Sequence, residues 1–413
     1  MMHASSAHLP NSREAFLPRC ALDLKLDVPV ATPAQQNEDI MNLFHEHTEL
    51  VGLPIVEGEY PIGIINRNIF MNEMARPFVR EIYGRKSCIA FMDKRPLTVE
   101  GHTPIQELSF QALAAGSKAL SDGFIIVDQG RYVGAGTGFD LVSAVTNLQA
   151  EKNRLVMESI DYASVIQKSF LRPSRLDLAS TLPDHLLHWE PRDVVGGDFF
   201  VFRNFADGFF VAVIDCTGHG VPGAFMTLIM ASYLDRLLEH GNPRDPAHVM
   251  AEMNRMVKGA LAQDAEHAHH EEEGSDDGMD TAFLWFDRGT STLSWAGAKT
   301  PLFVLAPDAE EVVQLDGDRM GVGYRTTPAD HVWANRAAQL SPGTSVFITT
   351  DGIIDQVGGP KRIAFGKKRL RQMLLEHRAL PVAEQGECII KAFRDYQGEQ
   401  TRRDDVTLFG FRL

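Results

Sequence analysis

The sequence predicts an α+β protein in two parts joined by a long helix, and three observations predict it. An apolar strand, a polar turn with Gly and a second strand ending in Gly occur twice in the first third, over 53–65 and 124–136. A run from 141 to 170 holds neither Pro nor Gly. Beyond residue 176, short apolar strands alternate with a few helices in a mostly antiparallel pattern.

Composition bounds the rest. At roughly 150 residues per domain, 413 residues suggest two to three domains. With 44% hydrophobic and 23% charged residues, wholesale disorder is excluded. The net charge of −15 argues against general binding to nucleic acid or to an anionic membrane. Apolar runs such as 209–214 are too short to span a bilayer, and residues 1–20 lack a secretory signal. Cys20, Cys88, Cys216 and Cys388 form no CxxC pair and read as free thiols. The expected location is cytoplasmic, with neither nucleic acid nor membrane as a partner.

In chain order, 1–36 reads as a poorly ordered lead-in, with one strand available at 22–28. The repeat occupies a domain over 37–140, with helices at 37–47 and 103–115 and a strand at 96–99. A helical linker spans 141–172. Leu141, Val145, Leu148 and Leu155 keep a heptad-like spacing that Lys152 interrupts, so two readings stay open: a two-stranded coiled coil and hence a homodimer, or a helix packed on its own domain. The remainder, 173–413, offers strands at 199–203, 209–214, 282–286, 293–296, 302–305, 345–349 and 406–411, and helices at 224–240, 245–261, 366–377 and 382–396. The stretch 264–280 carries eight acidic residues, no Lys or Arg, and His267, His269 and His270; it reads as a mobile solvated loop rather than a metal site.

Chemistry concentrates in four phrases: Val195-Gly-Gly-Asp198, Asp215-Cys-Thr-Gly-His-Gly220, Thr350-Asp351-Gly352 and Asp404-Asp405-Val-Thr407. Each places an Asp at the end of an apolar strand, where a carboxylate is costly unless a cation or hydrogen bonds compensate it. Gathered at one sheet edge, they would make an oxygen-rich pocket suited to Mg²⁺ or Mn²⁺.

Together with Asp161-Tyr-Ala-Ser-Val-Ile-Gln-Lys-Ser-Phe-Leu171 and Trp295-Ala-Gly-Ala-Lys-Thr-Pro-Leu-Phe-Val304, these phrases resemble the SpoIIE-like branch of the protein phosphatase 2C superfamily, over roughly 160–413. The stretch 316–324 looks like the subset that includes SiaA-type phosphatases. The resemblance implies a sandwich of two antiparallel sheets flanked by helices, and a metal-dependent phosphoserine/phosphothreonine phosphatase. It implies two Mn²⁺ or Mg²⁺ ions held by Asp198, Asp215, Asp351, Asp404 and the Cys216 carbonyl, with a shared hydroxide as nucleophile. Asp405 would orient the cluster, and Asp280 is a candidate for a further metal contact. Arg192 is either a phosphate grip or a surface residue, and His219 either a general acid or a turn histidine. The implied partner is a phosphorylated regulator of STAS type or similar. A catalytically silent scaffold of the same fold and another two-metal hydrolase are the competing classes.

The repeat resembles a pair of CBS domains. In that family a Thr-x-x-Asp can hold an adenosine ribose, which Thr137-Gly-Phe-Asp140 would fit as a site for an adenine nucleotide; the alternative is a helix N-cap. The resemblance implies control of the C-terminal site by this module.

Overall fold

The structure, a computed structural model, describes residues 17–263 and 276–413. Residues 1–16 of the expected lead-in lie outside the described residues, as do 264–275 with His267, His269 and His270. The chain divides into two units, Met1–Val156 and Met157–Leu413.

The first unit is a structural repeat. Its first half holds α1 (Asn37–Glu46), the hairpin β1 (Gly52–Glu57) and β2 (Tyr60–Asn66), then α2 (Arg67–Met74) and α3 (Val79–Tyr83). The second holds β3 (Thr98–Glu100), α4 (Ile105–Ala115), α5 (Ser117–Asp122), the hairpin β4 (Phe124–Asp128) and β5 (Arg131–Gly136), and the start of α6 (Gly138–Thr181). Both hairpins slip register at the corresponding place, between Ile55 and Val56 and between Ile126 and Val127. β3 lies parallel to β4, and Ala31 makes the matching parallel bridge to Ile55. Each half has its own apolar core, one around Ile40, Phe44, Ile55 and Phe70, the other around Leu108, Phe124, Ile126 and Leu141.

Two expectations change here. Residues 17–36 are not loose: Ala21, Leu24 and Ala31 are buried, and a 3₁₀ turn, Ala21–Leu24, replaces the strand expected at 22–28. Asp23 explains the turn, since its carboxylate accepts the Arg19 and Cys20 N–H groups. The dimer seam also loses three members, because Leu141 is buried in the core of the first unit and Val145 and Leu148 pack against it. α6 continues past Pro173 because burial of Leu171, Ser174 and Leu178 offsets the hydrogen bond that proline cannot make.

The second unit has four layers. After α6 come β6 (His185–Glu190), β7 (Asp198–Asn204), β8 (Gly208–Cys216), α7 (Gly220–His240), α8 (Pro246–Ala260), β9 (Met279–Asp287), β10 (Thr292–Ala298), β11 (Leu302–Leu305), β12 (Val313–Leu315), β13 (Arg336–Gln339) and β14 (Ser345–Thr349). Then follow α9 (Asp351–Ile354), the short pair β15 (Val357–Gly358) and β16 (Ile363–Ala364), α10 (Lys367–Glu376), α11 (Val382–Gln397) and β17 (Val406–Arg412). One antiparallel sheet runs β13-β10-β9-β8-β7, the other β12-β11-β14-β17-β6. Between them pack Phe209, Val211, Leu284, Phe286, Val346, Ile348 and Phe411, with Phe209 and Phe411 meeting edge to face at 5.4 Å. Each such buried Phe contributes roughly 1.5–3 kcal/mol. The outer face of the first sheet is covered by Met230 and Leu234 of α7 and by Met250, Met253 and Val257 of α8. That of the second is covered by Leu370 and Leu374 of α10 and by Ile389 and Phe393 of α11. This is the helix–sheet–sheet–helix arrangement that the resemblance implies.

Candidate metal centre

Strand alternation builds the site. The inward stripe of β8 reads Phe209, Val211, Val213, Asp215, and that of β9 reads Phe286, Leu284, Ala282, Asp280. Asp198 pairs across from Asp215, and Asp215 across from Asp280. Directly paired residues share a face. The apolar filling of the sandwich therefore turns into a row of carboxylates at one end of the first sheet. At the same end of the second sheet, β14 runs into Thr350 and Asp351, and β17 starts just after Asp404 and Asp405.

Hydroxyls tie the two sheets together. Thr350 and Thr407 each donate to Asp198 Oδ2 at 2.7 Å, and the Thr407 N–H donates to the Thr350 hydroxyl at 3.0 Å. Asp405 is held by backbone: its carboxylate accepts the N–H groups of Arg192 at 2.5 Å and Gly197 at 2.6 Å. The glycines of the motifs are needed for this grip. A Cβ on Gly196 would stand 2.5 Å from both Asp405 oxygens, and one on Gly352 would strike the Asp405 carbonyl. Gln167 of α6 completes the support. It is buried, donates to the Gly196 carbonyl at 2.7 Å and to the Thr227 hydroxyl at 3.1 Å, and accepts the Gly196 N–H at 3.3 Å.

Electrostatics mark the centre. Burial, reinforced by Asp405, pushes the Asp198 carboxyl well above the usual carboxylate range. Burial and then Asp198 do the same to Asp215. Asp351, whose residue surface is largely open, has its carboxyl pushed up to about 6 by displaced water and by Asp404. Asp405 is raised by burial despite the N–H groups it accepts. Among the described residues, no three His, Cys, Asp or Glu side chains close on a single point; the carboxylates surround a common end of the sandwich instead. The fit to a divalent cation rests on the donor set: oxygen only, mutually repelling, and short of positive charge.

The structure brings Asp198, Asp215, Asp351 and Asp404 together, with Asp405 beneath them. The Cys216 thiol points into the core against α7, and burial pushes it up, which leaves only its backbone for the site. Asp280, expected at the end of the acidic loop, belongs to β9 and pairs with Lys299 Nζ at 3.0 Å. His219 caps α7 and meets Asp193 at 3.0 Å, while the Arg192 guanidinium donates to the Arg403 carbonyl at 3.1 Å. Thr137 and Asp140 lie in the first unit, where Thr137 is the N-cap of α6, accepting the Asp140 N–H at 3.1 Å and donating to its carboxylate at 2.6 Å. Asn66 caps α2 in the same way. Thr137 also lines a cavity of about 240 Å³ with Asp27, His47, Glu49 and Asp122.

Sequence reasoning left Gln167, Thr350, Thr407 and Lys299 without roles, although each stands inside a phrase it quoted. Thr350 and Lys299 stand just past the ends of β14 and β10, and Gln167 is followed by Lys168 and Ser169, so no break in an apolar pattern marks them.

A family model described as stage II sporulation protein E (SpoIIE) matches residues 206–413. Among solved structures, the chain is similar to the SiaA-PP2C domain of Pseudomonas aeruginosa at 37% identity, over 64% of this chain and 99% of that one, with a TM-score of 0.57. A Bacillus subtilis structure, the PP2C phosphatase domain and a regulatory fragment of SpoIIE, aligns at 16% identity over 56% of this chain and 63% of that one, with a TM-score of 0.44. Comparison with curated protein sequences finds no match. Among the described residues, no helix is long and apolar enough to cross a membrane.

Proposed function

The chain belongs to the SpoIIE family, and from that membership we propose that it is a metal-dependent phosphatase acting on phosphoserine or phosphothreonine in a regulatory protein. The observation that carries this reading is the end-to-end register of Asp198, Asp215 and Asp280, faced by Asp351 and Asp404 from the other sheet. Asp198, Asp215, Asp351, Asp404 and the Cys216 carbonyl would hold Mn²⁺ or Mg²⁺, which supplies a Lewis acid able to activate water at neutral pH and to offset phosphoryl charge. The protein's own part is to hold this set still. Thr350 and Thr407 orient Asp198, and Asp405 locks the Gly197 backbone that leads into it.

The regulatory half of the proposal has two parts. The repeat of the first unit acts as a CBS-type sensor, and its cavity at Thr137 is the place for a small ligand such as an adenine nucleotide. The partner is a phosphorylated STAS-type protein or a similar partner-switching component, in keeping with relatives named for RsbU and RsbW domains and for the stressosome. Release of phosphate from such a phosphoprotein, present with Mn²⁺ or Mg²⁺ and abolished by chelator, tests the enzymatic claim. A protein that binds the partner but releases no phosphate with either metal would be the silent scaffold.

A further inference from the structure

The cluster of Asp198, Asp215, Asp280, Asp351, Asp404 and Asp405 repels a phosphate dianion; divalent cations held there would offset part of that charge, and a side-chain cation facing the substrate would add to them. Arg192 and Lys299 each bring a cationic side chain near the row. Arg192 spends its guanidinium on the Arg403 carbonyl. Lys299 sits at the turn after β10, and its ammonium reaches Asp280 Oδ1 at 3.0 Å while lying 4.2 Å from the centre of the Tyr324 ring. Its side chain is 41% exposed.

The backbone at Lys299 is unusual. It is left-handed, with φ of 59°, at a non-glycine residue. The conformation is fixed by the Lys299 N–H, which donates to the Asp318 carbonyl at 2.7 Å, and by a bridge to Thr281 beside Asp280. A part-exposed Lys–Asp pair is worth too little to justify a left-handed backbone on stability grounds, and such conformations collect at functional sites. The segment around Gly321 closes over the pair, where a Cβ would stand 2.7 Å from Asp280 Oδ1.

We propose that Lys299 is the phosphate-binding cation of this site: its ammonium, delivered to the Asp280 end of the carboxylate row by the left-handed turn and shared with Asp280 until substrate arrives, contacts the phosphoryl oxygens. This rests on the phosphatase reading and adds the residue that receives the substrate. A lysine suits the role as a compact point charge with three donors.

The test measures binding of inorganic phosphate to the full-length Mg²⁺-loaded protein by calorimetry, beside steady-state hydrolysis of p-nitrophenyl phosphate. Lys299→Gln should weaken phosphate binding and raise KM by about 10-fold or more, the loss of one charge-assisted hydrogen bond, with kcat changed less. Lys299→Arg should restore most of the affinity. Unchanged phosphate affinity in a folded Lys299→Gln protein would overturn the proposal, as would a failure of Lys299→Arg to restore any of the lost affinity. So would a loss confined to Arg192→Ala. A wild-type protein that binds phosphate through Lys299 yet hydrolyses no phosphate ester would retain the anion site and remove the phosphatase reading alone.

Discussion

Asp351 carries opposite consequences for activity and for stability. Its carboxyl is crowded by Asp404 and its neighbours, so Asp351→Asn removes repulsion from the metal-free protein. We expect the melting temperature of that variant, measured in chelator, to rise by a few degrees, while metal-dependent turnover falls about 100-fold or more. A fall in both would mean that Asp351 is structural. Glu190 gives the pH counterpart, away from the carboxylate row. Burial raises its carboxyl, but Arg394 and Arg402, each within 3.0 Å, outweigh this and hold it below the ordinary range. A depressed folded-state value means stability that is present above the ordinary carboxylate range and lost as pH falls through the lower folded value. Glu190→Gln should therefore cost about 1 kcal/mol at pH 7, and the difference from wild type should shrink in melts taken as pH falls below the ordinary carboxylate range. The carboxylates were legible as a set: Asp351-Gly352 alone is an ordinary turn dipeptide, but four such aspartates at strand ends, in this order and spacing, are specific. Thr350 and Thr407 were not, because a strand threonine is ordinary until its hydroxyl is seen to face a carboxylate on another sheet.

At the level of elements, α6 shows where local reasoning stops. Its stretch 141–170 was evident from the absence of Pro and Gly, but its continuation through Pro173 depends on burial of Leu171 and Leu178 against strands far along the chain. The pairing of β6 with β17 was equally hidden, since His185, His188 and Glu190 give β6 no clean alternation. The helices α7, α8, α10 and α11 were readable within a few residues because each has one apolar face to bury. α6 also supplies Gln167, whose amide satisfies both backbone groups of Gly196. Gln167→Leu keeps the volume and strands those two groups. We expect a loss of about 1–3 kcal/mol in denaturant melts and at least a 10-fold fall in turnover with the metal bound. Full activity in this variant would show that the Gly196 backbone needs no anchor from α6.

For the whole molecule, the division into two units with separate apolar cores predicts that residues 157–413 fold alone. Circular dichroism should show a cooperative melt, and hydrolysis should persist with an altered rate if the first unit regulates it; an unfolded fragment would overturn that independence. The two-part organisation was legible from the repeat, whereas the burial of residues 17–36 was not, because isolated apolar residues such as Leu24 and Ala31 acquire meaning only beside the hairpins they cover. The row formed by Asp198, Asp215 and Asp280 extends the stripes that fill the sandwich, so ligand placement and core packing obey one alignment. A slip of one residue between β8 and β9 would turn Asp215 outward together with Val211 and Val213, forfeiting catalysis and cohesion in a single step. Such a site has no half-formed state to tolerate. Partial misfolding yields a molecule that is inert, not one that dephosphorylates without control.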